Sequence, residues 1–157
     1  MNLLNHRFFT YFSDAGAKSL AEYSEEVTLN DETILFNEAD PSECVYLLLE
    51  GRVELSKSSG GDKQVGILTV EAGDYFGEMG VLDNNPRSTC ATCRGLTRVA
   101  KVPGPPLLRI LHQEPAYVTL QFLRTILEHL RRANERFVAE VLKKENSQPS
   151  GGKIDAR

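Results

Sequence analysis

Residues 44–56 read CVYLLLEGRVELS, a continuous apolar run and then an alternating one, divided at Gly51. Alternation of apolar and polar side chains with period two marks a strand covered on one face. An unbroken strand has no need of glycine at position 51, so the spacing predicts a tight turn or bulge there. Further short runs lie on both sides: TILF (33–36), QVGILTV (64–70) and STCATC (88–93). Clusters of turn formers separate them, namely EADPSE (38–43), SSGGDK (58–63), EAGD (71–74) and LDNNPR (82–87). Several strands at this close spacing predict an antiparallel roll or sandwich, not a parallel sheet. The adjacent glycines of SSGGDK predict a hairpin tip.

Helical patterns frame this β body, which spans about residues 27–102. Phe8, Phe9, Phe12 and Leu20 fall at loosely helical spacing and predict one or two short helices before residue 25. After the break VPGPP (102–106), Leu107, Leu108, Ile110 and Leu111 form a short apolar segment. Leu123, Ile126, Leu130, Ala133, Phe137 and Val141 then recur at steps of three and four, with Leu120, Leu127, Asn134 and Val138 broadening the stripe. This hinge and long helix cover about residues 105–143. A helix of about 28 residues runs roughly 40 Å, whereas strands of this kind run about 20 Å. Its distal half, with Phe137 and Val141, is therefore expected to meet a second copy of the chain in a homodimer. Residues 1–143 read as one domain, and 144–157 as a flexible polar tail.

The 157 residues are 41% hydrophobic with a formal net charge of −4, which gives no electrostatic footprint for DNA or RNA. No apolar run approaches the length of about 18 residues that a membrane span needs, and no secretory signal pattern opens the chain. Three cysteines, an odd number, do not suggest a disulfide framework. Cys90 and Cys93 have metal-site spacing, but in a strand residues three apart face opposite sides and cannot converge on one ion. They read as structural thiols, and no metal site is expected. His6, His112 and His129 lack paired spacing and read as surface or helix-end residues. No arrangement of catalytic groups stands out, so the expectation is a non-enzymatic cytoplasmic protein.

One segment does carry candidate chemistry. FGEMGVLDNNPRSTCAT (76–92) places Glu78 at the start of a short helical turn and Arg87 beyond an Asn-Asn-Pro turn. A planar guanidinium binds phosphate through paired N–H groups, and a carboxylate accepts from sugar hydroxyls. The competing reading is a surface Glu–Arg ion pair, worth under about 1 kcal/mol.

This segment resembles the phosphate-binding cassette of cyclic nucleotide-binding domains, which runs Phe-Gly-Glu, a small residue, hydrophobic residues, then Pro-Arg and a small residue. The resemblance extends upstream through ILFNEADPSECVYLLLEGRVELS and downstream through LTRVAKVP into the long helix. It implies a mainly β fold with flanking helices: an antiparallel β-roll of jelly-roll type, N-terminal helices, a short cassette helix and a long C-terminal helix. By motif, Glu78 is expected at the ribose 2′-hydroxyl and Arg87 at the cyclic phosphate. Gly77, Met79 and Gly80 are expected to line the site, and Ser88 follows the arginine, where its hydroxyl does not separate cAMP from cGMP. Asn134 occupies the place from which dimeric bacterial members contact the purine, or else a polar position in a helix seam. Ala133 lacks the hydroxyl common there, and Ala39 stands where many members have glycine. The implied function is a regulatory sensor for a cyclic purine nucleotide, cAMP favoured over cGMP, that moves its C-terminal helices on binding. The alternative is an interaction module that kept the fold and lost the ligand. The chain stops soon after the long helix, without room for a DNA-binding domain. Hence either a separate effector protein or a longer parent chain is expected.

Overall fold

The computed structural model describes residues 3–60 and 63–146, with side chains described to residue 143. Two 3-10 turns, Leu3–Asn5 and Arg7–Tyr11, lead into helix α1 (Asp14–Tyr23). Ser13 caps α1 by accepting from the Gly16 N–H, as a short hydroxyl side chain at this position does. Six strands follow: β1 (Glu25–Leu29), β2 (Ile34–Phe36), β3 (Cys44–Ser58), β4 (Gln64–Glu71), β5 (Tyr75–Phe76) and β6 (Cys90–Pro103). Helix α2 (Glu78–Asp83) interrupts them after β5, and α3 (Gly104–Leu111) and α4 (Ala116–Asn146) close the chain.

All strand pairings are antiparallel, in the order β1-β6-β3-β4, with β2 also on β6 and β5 also on β3. The long strands β3 and β6 are the spine. Their register slips twice, between Leu48 and Glu50 and between Glu50 and Arg52, placing a bulge at Gly51 as the sequence predicts. Gly51 has φ +85°, and a Cβ there would lie 2.6 Å from the carbonyl oxygen of Leu96, so the bulge requires glycine. β3 and β4 pair as the expected hairpin as far as Ser58 opposite Gln64, while its tip residues 61–62 lie outside the described residues.

Strand periodicity divides the core in two. On β3, Val45, Leu47 and Leu49 point to the helices, where they join Phe8, Phe9, Phe12, Leu20, Leu107 and Phe122. Tyr46 and Leu48 point into the roll with Phe36, Val53, Leu68, Val70 and Val99. β5 makes the same split in two residues, Tyr75 outward and Phe76 inward. Cys90 and Cys93 lie opposite Ser56 and Val53 in unbroken register, which sends them to opposite faces, and both are buried and free.

Helix α4 has 31 residues and reaches three beyond the expected end, so the proposed tail begins inside the helix and its remainder, 147–157, lies outside the described residues. The buried side of α4 is not the stripe named from sequence. Val118, Phe122, Thr125 and His129 are buried, whereas Leu120, Leu123, Leu127, Leu130, Phe137, Val138 and Val141 remain exposed. Beyond His129, polar contacts continue the docking face: Arg132 pairs with Asp74 and Arg136 reaches Thr69. No helix among the described residues is long and apolar enough to cross a membrane.

Candidate ligand-binding site

The cassette is held open by backbone geometry. Gly77 caps α2 with φ +77° and ψ 12°, a left-handed conformation that other residues adopt at a cost. This turn aims the Gly77 carbonyl at Arg87, whose Nη1 donates to it at 2.6 Å. Nη2 of Arg87 donates to the Cys44 carbonyl, also at 2.6 Å, and the guanidinium carbon stands 4.2 Å from the centre of the Phe36 ring. The arginine backbone is fixed as firmly: its N–H donates to the Asp40 carbonyl and its carbonyl accepts from the Ala39 N–H. Ala39 itself sits at φ +72°, so the glycine common at this place in the resembling family is replaced by a strained alanine.

Arg87 is only 5% exposed, and among the described residues it pairs with no carboxylate. Its Nε is buried with no hydrogen-bond partner among those residues. A buried cation without a counter-ion is costly, and this one borders a cavity of about 300 Å³. The cavity has a polar end at Gly77, Glu78, Gly80, Arg87 and Ser88, and an apolar end at Leu55, Ile67, Leu68, Leu130 and Ala133. Such a combination suits a ligand with an anionic head and a flat, weakly polar ring. The surface ion-pair reading fails, because Glu78 is also buried and pairs with His129, not with Arg87.

A family model for the cyclic nucleotide-binding domain matches residues 26–114. The chain belongs to this family. A cAMP-dependent protein kinase regulatory subunit from Dictyostelium discoideum is 30% identical over 87 residues, covering 54% of this chain and 27% of that protein. The sensor domain of the transcriptional regulator DNR from Pseudomonas aeruginosa shares the fold with a TM-score of 0.71 at 18% identity, over 85% of this chain and 89% of that one. The regulatory domain of Toxoplasma gondii PKA, solved with cAMP, gives a TM-score of 0.69 at 19% identity, over 80% and 47%. The chain thus spans only about a quarter of the kinase regulatory subunit.

Within this cyclic nucleotide-binding domain, the cavity brings together six of the seven residues singled out from sequence. Gly77, Glu78, Met79, Gly80, Arg87 and Ser88 all line it, with Met79 and Ser88 at its exposed edge. Asn134 does not reach it: the residue is exposed on α4, and His129, Leu130 and Ala133 form the helical wall instead.

Two ionisable side chains that line the cavity, Lys57 and His129, are not among the residues singled out from sequence. Lys57 brings an ammonium to the rim, held by Glu38 at 3.3 Å and by the Ser88 carbonyl at 3.3 Å. His129 is the larger omission, since it reads as a surface histidine and is in fact buried between two carboxylates. Its Nε2 lies 3.3 Å from Asp74 Oδ2 and its Nδ1 3.5 Å from Glu78 Oε1. Burial opposes charge on the ring, yet the partnership with Asp74 and Glu78 prevails and its pKa is pushed up to about 9. Asp74 experiences the converse. Burial disfavours its charge, but His129, the Tyr75 N–H and Arg7 hold it well below the usual carboxylate range. His6, likewise expected at the surface, is fully buried, accepting from the Phe8 N–H at Nδ1 and facing the Asp74 carbonyl through Nε2. An accepting Nδ1 leaves the proton on Nε2, and burial keeps this ring neutral by lowering its pKa. His112 caps α3 at the surface, as expected.

Proposed function

We propose that this domain is a non-enzymatic sensor for a cyclic purine nucleotide. The observation that carries the reading is Arg87: a buried guanidinium with an unused Nε–H and no counter-ion among the described residues, on the wall of a nucleotide-sized cavity. In this reading the cyclic phosphate supplies the missing anion, Glu78 accepts from the ribose 2′-hydroxyl, and the purine lies against Leu55, Leu68, Leu130 and Ala133. The proposed preference is for cAMP over cGMP, supported by the kinase regulatory subunit named for cAMP dependence and the related domain solved with it. Three free thiols suit a reducing, cytoplasmic setting.

Coupling follows from what α4 contributes. Leu130 and Ala133 wall the cavity, so a bound base changes which arrangement of α4 is favoured, and any ligand that prefers one arrangement shifts the population toward it. The exposed face of α4 carries Leu120, Leu123, Leu127, Leu130, Asn134, Phe137 and Val141 at alternating steps of three and four. This is the heptad spacing of a two-helix seam. The proposed assembly is a homodimer through α4, its helices reporting nucleotide occupancy to an effector protein.

Titration calorimetry with cAMP and cGMP tests the ligand. Saturable heat from cAMP, tighter than from cGMP, is expected. Folded, ligand-free protein that gives heat with neither nucleotide overturns the sensor reading and leaves an interaction module.

A further inference from the structure

Asp74, in the turn between β4 and β5, draws the N-terminal turns and α4 to one carboxylate. Arg7, from the N-terminal turns, reaches Oδ1 at 3.0 Å; Arg132 and His129, one turn apart on α4, reach Oδ2 at 3.0 and 3.3 Å. The second nitrogen of His129 turns to Glu78, the first residue of α2. Among the described residues His129 is the ion-pair partner of Glu78, and both are nine-tenths or more buried. An imidazole can serve two carboxylates at once only when both nitrogens carry protons. The ring is therefore the counter-charge for a buried carboxylate that lines the ligand cavity.

We propose that His129 is a positioning residue for hydroxyl recognition: its ring pairs with Glu78 and aims that carboxylate as the acceptor for a ligand's sugar hydroxyl. This rests on the reading of Glu78 as the ribose acceptor and adds what sustains it. Without a neighbouring cation a buried carboxylate is disfavoured as an anion, and hydrogen bonds to a charged acceptor are roughly twice as strong as neutral ones. Because His129 belongs to α4, hydroxyl recognition and the docking of that helix share one side chain. A ligand that uses the Glu78 oxygens is sensed by the helix through the same carboxylate.

The groups facing His129 are Asp74 from the β4–β5 turn, Glu78 from α2 and the Tyr75 ring from β5, whose centre is 6.5 Å away. Arg132, on its own helix, and Arg7 share Asp74 with it. Two carboxylates thus bracket the ring directly, and the two guanidiniums act on it only through Asp74. Loss of the imidazolium proton toward pH 9 removes the counter-charge of Glu78 while leaving Arg87 and the phosphate contact in place.

The test is equilibrium binding of cAMP and 2′-deoxy cyclic AMP to the wild type and to His129→Gln, at pH 7 and pH 9.5. At pH 7 the variant is expected to lose about tenfold or more in cAMP affinity, the scale of one hydrogen bond to a charged group, and much less for the deoxy ligand. The wild-type preference for cAMP over its deoxy analogue is expected to shrink from pH 7 to pH 9.5, with no such change in the variant. Equal losses for the two ligands, or undiminished cAMP affinity, overturn the inference while leaving the nucleotide reading intact. Wild type that binds neither ligand overturns both. Should the variant not fold, the wild-type preference decides alone, and a preference constant with pH overturns the inference.

Discussion

Arg87 Nη1 donates to the Gly77 carbonyl at 2.6 Å, and a Cβ built on Gly77 would lie 2.5 Å from that same nitrogen. The glycine and the arginine are thus a matched pair: one adopts the left-handed turn, and the other fills the space its missing side chain leaves. Gly77→Ala imposes both a strained φ and a clash, costing about 1–3 kcal/mol of stability. Relief of the clash requires the guanidinium to move, so cAMP affinity is expected to fall by more than tenfold in a protein that still folds. Thermal melts and calorimetry on the same sample check both effects.

Arg87→Ala removes the cation from the polar end of the cavity. Truncating one partner of a buried charge pair costs roughly 2–5 kcal/mol of binding, so cyclic nucleotide affinity is expected to fall at least thirtyfold. Arg87→Lys is not a rescue, because an ammonium cannot donate to the Gly77 and Cys44 carbonyls and still offer a third N–H in the plane of Nε. Binding of either variant within threefold of the wild type removes the phosphate assignment.

Ala39 is the residue from which the strain should be easiest to remove. Its φ of +72° costs an L-residue about 1–2 kcal/mol relative to glycine, partly offset by the greater freedom of glycine in the unfolded chain. Ala39→Gly is expected to raise unfolding stability by about 0.5–1 kcal/mol without changing nucleotide affinity. Chemical denaturation reads the change as a shift in midpoint at constant slope.

Two buried histidines give stability opposite pH dependences. His129 has a raised folded pKa, so its contribution is complete below about pH 6.5 and is lost as pH rises through about 9. A rise of that size corresponds to about 3 kcal/mol at most. His6 has a lowered folded pKa, so its contribution is present above about pH 6.5 and declines below it. Asp74, also lowered, adds to the acid limb below its ordinary range near 4. Unfolding free energy is expected to peak near pH 6.5 and to fall toward pH 9, and His129→Gln should flatten the alkaline side alone. Urea titrations between pH 4 and pH 10 test this.

The difference between what the sequence disclosed and what it concealed follows from how each feature is encoded. The roll was legible because strand period, turn clusters and Gly51 are local signals, and the bulge falls where the glycine demanded it. The fold of the cassette was legible for the same reason: Gly77, Glu78, Gly80 and Arg87 lie within eleven consecutive residues of one motif. His129 is 51 residues from Glu78 and 55 from Asp74, and nothing local marks it. Only the docking of α4 onto the β4–β5 turn brings these charges together. The buried side of α4 is hidden from the sequence for a related reason. Leu123 and Leu130 have the same periodicity as Phe122 and His129, and periodicity finds a face without saying whether the body or another copy covers it.

That uncovered face makes the last prediction. Leu120, Leu123, Leu127, Leu130, Phe137 and Val141 remain exposed along α4, and Asn134 occupies the step between Leu130 and Phe137. In a two-helix seam a single polar residue at such a position costs stability and fixes register and strand number. In the proposed homodimer, Leu127→Glu with Phe137→Glu places four like charges in a symmetric seam, and a monomeric mass by light scattering at tens of micromolar is expected for this variant against a dimeric mass expected for the wild type. Asn134→Leu should act in the opposite direction, tightening association while loosening its stoichiometry toward higher oligomers. Because Asn134 stands outside the cavity of its own chain, cAMP affinity per site should remain within a factor of about three in this variant. A large loss of cAMP affinity with unchanged mass would instead assign Asn134 to the purine, reached across the seam from the second copy.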